Sequence, residues 1–168
     1  MIRIASAEDI ASIQSLAKTA FRKTYARILS PAQMEYMMDM MYSRGSLEKQ
    51  MTAEDNRFFI EDGRGYVSFR PDGRTEDGRP RFHLEKLYVV PEYQKTGLGR
   101  KLFETVVREA GLLAAGEGYR IELNVNRENP AVNFYEHIGM YKDRQGDFPI
   151  GEGFYMNDYI MAMDLPGV

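Results

Sequence analysis

The segment Val89–Glu104, VVPEYQKTGLGRKLFE, constrains the fold more than any other part of the chain. An apolar, β-branched run meets Pro91, which offers no N–H and so ends strand pairing. Gly97 and Gly99 follow, two apart. Then Leu102, Phe103, Val106, Val107, Ala110, Leu113 and Ala114 recur at helical spacing. A strand that feeds a glycine turn and opens a helix leaves unpaired N–H groups and the positive end of the helix dipole at the mouth of the turn. Such a mouth attracts an anion. Local charge agrees: from Gln94 to Phe103 the chain has Lys95, Arg100, Lys101 and no acid, although the whole chain of 168 residues has a formal net charge of -3. The common phosphate fingerprints do not fit. The segment lacks the spacing and hydroxyl of a P-loop, and Leu102 stands where a dinucleotide loop needs its third glycine.

Elsewhere strand and helix periodicities alternate. Ile2–Ala5 reads as a short strand. Ser6 reads as the cap of a helix with Glu8 and Asp9 in its first turn and Ile10, Ile13, Leu16, Ala17, Ala20 and Phe21 on its apolar face. Ser30-Pro31 starts a second helix bearing Met34, Met37, Met38 and Met41, with Gly45 at its end. RFFIED and GYVSFR form a hairpin through Gly63 and Gly65. PDGRTEDGRP, residues 71–80, reads as a long solvent loop, and RFHLEKLYVV as the longest strand. YRIELNV is a further strand. NPAVNFYEHIGM is a helix capped by Asn129 and stopped by Gly139, and FYMNDYIMAMDL is a closing strand. The order predicts a mixed α/β fold in a single domain, residues 1–168.

Composition narrows the functions. At 43% hydrophobic and 28% charged residues, the chain can bury a core. It has no cysteine, which excludes a disulfide framework, a cysteine nucleophile and a thiolate metal site. His83 and His137 stand in no metal-ligand spacing, so no metal is expected. The acidic balance argues against a nucleic-acid partner. No signal-peptide pattern opens the sequence and no run approaches the roughly 18 apolar residues of a membrane span. The expectation is a cytoplasmic protein without a membrane partner.

LYVVPEYQKTGLGRKL resembles the acetyl-coenzyme A signature of the GNAT N-acetyltransferase superfamily: an apolar strand, V-x-P-x-[YF], then [QR]-x-x-G-x-[GA]. The matching residues are Val89, Pro91, Tyr93, Gln94, Gly97 and Gly99. A second stretch, NVNRENPAVNFYEHIGM, is similar to the family's strand-end asparagine, N-x-x-A-x-x-x-Y helix and closing glycine. It departs in two places: Ala131 falls two after Asn129 rather than three, and Met140 replaces the usual phenylalanine. The resemblance implies a GNAT-like domain with a central, mixed, mostly antiparallel sheet, splayed strands and flanking helices. It implies acetyl transfer from acetyl-coenzyme A to a primary amine, a small molecule or polyamine rather than a protein, directly within a ternary complex. A homodimer is compatible with it. A reading from another class is a catalytically silent acyl-coenzyme A sensor or interaction module.

The resemblance also assigns residues. The cofactor's pantetheine arm is expected along the backbone of Leu87, Tyr88 and Val89. The pyrophosphate is expected on the loop of Gln94, Lys95, Thr96, Gly97, Leu98, Gly99 and Arg100. Asn126 and Asn133 are candidates for polar contacts to the arm. An amine of pKa about 10.4 is only ~0.04% neutral at pH 7, a handicap of roughly 4.6 kcal/mol, so the site needs a base. Glu85, in the strand before the cofactor segment, is the candidate, and His83, two residues earlier on the same face, is its rival. Tyr135 matches the family's thiolate-facing acid. Phe21, Tyr25, Tyr36 and Met37, on the first two helices, are expected to form an apolar wall of the acceptor site.

Overall fold

Short polar side chains set where the N-terminal helices begin. In the computed structural model, which describes residues 1–168, β1 is Arg3–Ile4. Ser6 Oγ then accepts from Glu8 N while the Asp9 carboxylate accepts from Ser6 N at 2.8 Å, a capping box that leads through a 3-10 turn into α1, Ile10–Tyr25. Ser30 Oγ caps α2, Pro31–Tyr42. Ser43 follows α2 and caps α3, Arg44–Thr52. Gly45, expected to end the second helix, instead lies in the first turn of α3. The third helix is absent from the sequence expectations because only Leu47 and Gln50 are buried along it, too few for a visible period.

The remaining elements are β2 (Arg57–Glu61), β3 (Gly65–Arg74), β4 (Pro80–Val89), α4 (Leu98–Ala114), β5 (Tyr119–Asn126), α5 (Ala131–His137), β6 (Tyr141–Gly151) and β7 (Phe154–Leu165). The strands form one sheet in the order β1-β2-β3-β4-β5-β7-β6, antiparallel except for the β4–β5 pair. This is the mixed, mostly antiparallel α/β sheet that the sequence implies, with helices on both faces. Two strand expectations need correction. Residues 71–80 are not a long loop: β3 continues to Arg74, β4 starts at Pro80, and Thr75 N bonds Arg79 O at 2.9 Å across the tip. The outer part of that hairpin is polar because it projects beyond the core. β6 was not anticipated at all. It is an edge strand, largely exposed, so no apolar alternation marks it.

Each face of the sheet has its own core. α4 and α5 cover Val67, Phe69, Phe82 and Leu84. Leu102 and Val106 on α4 are fully buried there, at about 2 kcal/mol each for burial. α1, α2 and α3 cover Phe58, Ile60 and Tyr66 on the opposite face. There the Tyr42 and Tyr66 hydroxyls share a hydrogen bond of 2.6 Å, which satisfies two polar atoms deep in an apolar layer.

β4 carries the irregularity that makes the site. Ser68 on β3 pairs with Lys86, but the next residue, Phe69, pairs with Leu84, so Glu85 is an inserted residue in a β-bulge. The parallel ladder to β5 also stops there, with Leu84 opposite Leu123 as its last pair. Beyond that point β4 and β5 part.

Candidate active site

The parted strands open a cleft of about 680 Å³, lined by Leu87, Tyr88 and Val89 of β4, Asn124 and Val125 of β5, and the start of α4. Gly97 caps α4 with φ +87°, and Lys95 is also left-handed at φ +62°. Glycine reaches that conformation without a Cβ penalty. Lys101 N bonds Gly97 O at 3.1 Å. The N–H groups of Leu98, Gly99 and Arg100 therefore have no helical carbonyl to bind. Lys95 and Arg100 line this end, and Lys23, from the last turn of α1, joins them. None of the three is engaged in an ion pair. Thr96 and Leu98 contribute backbone alone, since the Thr96 hydroxyl donates to Tyr93 O at 2.5 Å and the Leu98 side chain is buried in the core. Gln94 Nε2 donates to Val89 O at 3.1 Å, tying the loop to the strand end. Gly99 has a packing reason as well: a Cβ there would stand 3.3 Å from the Phe134 ring of α5.

Tyr135 stands on the inner wall of this cleft, buried against α4 and β5, with Phe134 beside it at a ring separation of 5.3 Å. Its hydroxyl has no hydrogen-bond partner in the protein. Burial raises the phenol above its ordinary pKa, so it stays a proton donor at neutral pH. The asparagines are distributed differently from the sequence assignment. Asn133 is exposed and lines neither cleft. Asn126 accepts from Glu128 N at 2.9 Å and borders the neighbouring cleft. Asn124 and Asn129 line the larger cleft instead. Asn129 Oδ1 accepts from Ala131 N at 2.9 Å, and its Nδ2 donates to the Tyr25 hydroxyl at 3.2 Å, tying α5 to α1.

A second cleft, about 470 Å³, lies on the α1–α3 side of the sheet. It shares Tyr25, Glu85, Tyr88 and Asn124 with the first, so the two meet where β4 bulges. Of the residues expected to wall the acceptor site, Phe21, Tyr25 and Met37 line this cleft. Tyr36 does not. Its hydroxyl donates to Ile150 O at 2.6 Å and its ring packs on Phe154 at 5.3 Å, so it fastens the β6–β7 hairpin onto α2.

Both candidate bases border this second cleft. Glu85 Oε1 accepts from Arg70 Nε at 2.5 Å, and Oε2 has no protein partner. Burial lowers the pKa of His83, against a smaller upward pull from Glu85, so the imidazole is neutral at pH 7. Two charged residues that the sequence reading passed over are here too. Asp158 on β7 is held up in pKa by burial, opposed by a hydrogen bond from Asn124 Nδ2 at 3.2 Å. Lys86 is 6% exposed, with Nζ donating to Gln50 Oε1 at 2.6 Å and lying 5.5 Å and 5.6 Å from the Tyr42 and Phe58 ring centroids. Burial pushes its pKa down to about 8 against the pull of Glu85 and Glu54. The available signal was a charge inside an apolar strand, Lys86 in FHLEKLYVV and Asp158 in MNDYIMAM.

A sheet parted at its parallel pair, with a helix N-terminus at one end and a second cleft at the other, is the fold of the GCN5-related N-acetyltransferases. One such protein from Rhodopseudomonas palustris superposes with a TM-score of 0.77 at 18% identity, covering 98% of this chain and 95% of the other. The PaiA N-acetyltransferase of Thermoplasma acidophilum, solved in complex with coenzyme A, superposes with a TM-score of 0.66 at 22% identity, with 96% of both chains covered. The chain belongs to the GNAT acetyltransferase family, whose domain model matches residues 25–149. It is also 32% identical over 77 residues to the L-ornithine N5-acetyltransferase of Arabidopsis thaliana, a match over 45% of this chain. The matched stretch is 32% of that relative's length.

Proposed function

We propose that this chain moves the acetyl group of acetyl-coenzyme A onto the nitrogen of a small primary amine, with both substrates bound at once. The observation that carries the reading is the meeting of the two clefts at Glu85, with the α4 N-terminus at the far end of one and a polar, methionine-walled space in the other. The residues fit an acyl-coenzyme A. Three unpaired N–H groups and three cations free of ion pairs suit a pyrophosphate. The parted edges of β4 and β5 suit an extended amide-bearing arm. The Thermoplasma neighbour was solved with coenzyme A, and the Arabidopsis relative is named for an amino-acid amine acceptor.

Acetyl-coenzyme A supplies the acetyl thioester. Glu85, through Oε2 or a water on it, takes a proton from the acceptor ammonium, and neutral His83 borders the same space as a second proton acceptor. Tyr135 gives its hydroxyl proton to the departing thiolate as the carbon–sulfur bond breaks. The chain has no cysteine, so no cysteinyl acetyl-enzyme forms. A thiol-release assay over amino acids, diamines, polyamines, aminoglycosides and peptides tests the reading. Amine-dependent thiol release is the expected result. Coenzyme A binding without release across the panel would support a silent binding module instead, and no coenzyme A binding would overturn both.

A further inference from the structure

Lys86 is a buried cation with no anion of its own. The two carboxylates that act on it electrostatically are each held elsewhere: Glu85 by Arg70 at 2.5 Å, and Glu54 by Lys49 at 3.7 Å. Its ammonium has three donors and a single protein hydrogen bond, to the neutral Gln50. The aromatic rings of Tyr42 and Phe58 offset part of its desolvation but accept no strong hydrogen bond. A charge in such a place is costly unless something pairs with it. Nearby, Asn56 is 6% exposed and its Oδ1 has no hydrogen-bond partner. Asn56 N bonds Gln50 O at 2.8 Å, so the orphan acceptor and the unspent donors are both anchored through Gln50. Lys86, Gln50 and Asn56 all line the acceptor cleft, at the end bordered by α3.

We propose that this end of the cleft holds a carboxylate of the acceptor on Lys86, so that the substrate is a diamino acid acetylated on its side-chain amine. The inference rests on the acetyl-transfer reading and deepens it. The carboxylate takes the two unspent Lys86 donors. The adjoining α-ammonium falls toward the polar side chains of Gln50 and Asn56, which line this end of the cleft. The side-chain amine, several bonds away, extends toward Glu85 at the junction of the clefts. A diamine without the carboxylate leaves Lys86 as uncompensated as it is in the free protein.

The test is a matched comparison by thiol release: L-ornithine against 1,4-diaminobutane, and L-lysine against 1,5-diaminopentane, on the wild type and on Lys86→Met. The wild type is expected to prefer each amino acid in kcat/KM. The variant is expected to shrink that preference roughly 10- to 100-fold, mostly through KM, as suits the loss of a charge-assisted hydrogen bond to a buried group. If the variant does not fold, the wild-type comparison decides alone, with L-ornithine amide added to remove the carboxylate charge. Equal or better use of the diamines, or a preference that survives in Lys86→Met, overturns the proposal. Calorimetric titration of the coenzyme A-loaded protein with the same pairs separates the two levels of inference. Preference in binding without turnover retains the carboxylate site and removes the transferase reading. Turnover without preference does the reverse.

Discussion

Replacing Tyr135 by phenylalanine separates chemistry from packing better than any other change in this site. The hydroxyl makes no hydrogen bond within the protein, so its removal leaves no protein group unpaired. The ring, 6% exposed and seated in the α4–α5 core, keeps its contacts. The melting temperature should therefore move by no more than about 2 °C, the shift of less than 1 kcal/mol in a domain of this size. Proton donation to a leaving thiolate is typically worth ~10²–10⁴-fold, and with water as a substitute acid kcat should fall at least about tenfold. Because burial raises the phenol pKa, the donor stays protonated as pH rises, and the wild-type kcat should show no alkaline loss from this group up to about pH 10. Tyr66→Phe is the matched control. It breaks the buried 2.6 Å bond to Tyr42 at a cost of about 1–3 kcal/mol, and so lowers the melting temperature by several degrees while turnover per folded molecule holds. Thiol-release kinetics, coenzyme A titration and thermal melts on each preparation make the comparison. Full turnover in Tyr135→Phe would remove the residue from the mechanism, and a fall in stability matching that of Tyr66→Phe would make it a core residue.

Three further changes probe other parts of the site. Gly97→Val forces a β-branched residue to φ +87°, a strain of roughly 1–2 kcal/mol with no steric contact within 4 Å to blame. Calorimetry should show coenzyme A affinity reduced about tenfold or more in a folded protein, and wild-type affinity would dismiss the loop. Glu85→Gln should lower turnover most at neutral pH and recover part of it toward pH 9.5, where more of the amine is already neutral; a loss independent of pH points to His83 or to structure. Lys86 has a folded pKa of about 8 against roughly 10.4 unfolded, so between those values the unfolded chain binds more protons and stability rises with pH. Denaturant melts of the ligand-free protein should gain about 1 kcal/mol from this group between pH 7 and pH 9, and Lys86→Met should lose that rise.

The glycine turn and the helix start at the mouth of the larger cleft were legible in the sequence because their determinants are local. Gly97 must be left-handed, α4 must begin there, and Pro91 must stop the strand, and all three lie within a dozen residues. The acceptor end was less so. Glu85 and His83 are evident as polar residues of one strand, but strict alternation with Phe82 and Leu84 would put Lys86 in the α4 core, and only the bulge turns it to the other face. Asp158 belongs to a strand whose neighbour, β6, has no apolar period to announce it. Asn133 was placed on the cofactor arm by motif position, whereas the helical turn that brings Tyr135 and Phe134 inward leaves Asn133 on the exposed side.

The bulge explains why one strand can serve both clefts. On an unbroken β4, alternation would send every second side chain to the same face along its whole length. Phe82 and Leu84 point into the α4 core, and without an insertion Lys86 would follow them there. With Glu85 inserted, Leu87 and Val89 take up that core instead, and Glu85 and Lys86 stand as consecutive residues lining the acceptor cleft. The insertion falls where pairing with β5 ends, so the freed backbone of Leu87 to Val89 borders the larger cleft and starts two residues after the candidate base. One extra residue thus sets the register of a carboxylate, an ammonium and an open strand edge together. Main-chain geometry fixes where each of these side chains leaves the strand, the kind of rigid support the proposed two-substrate reaction needs.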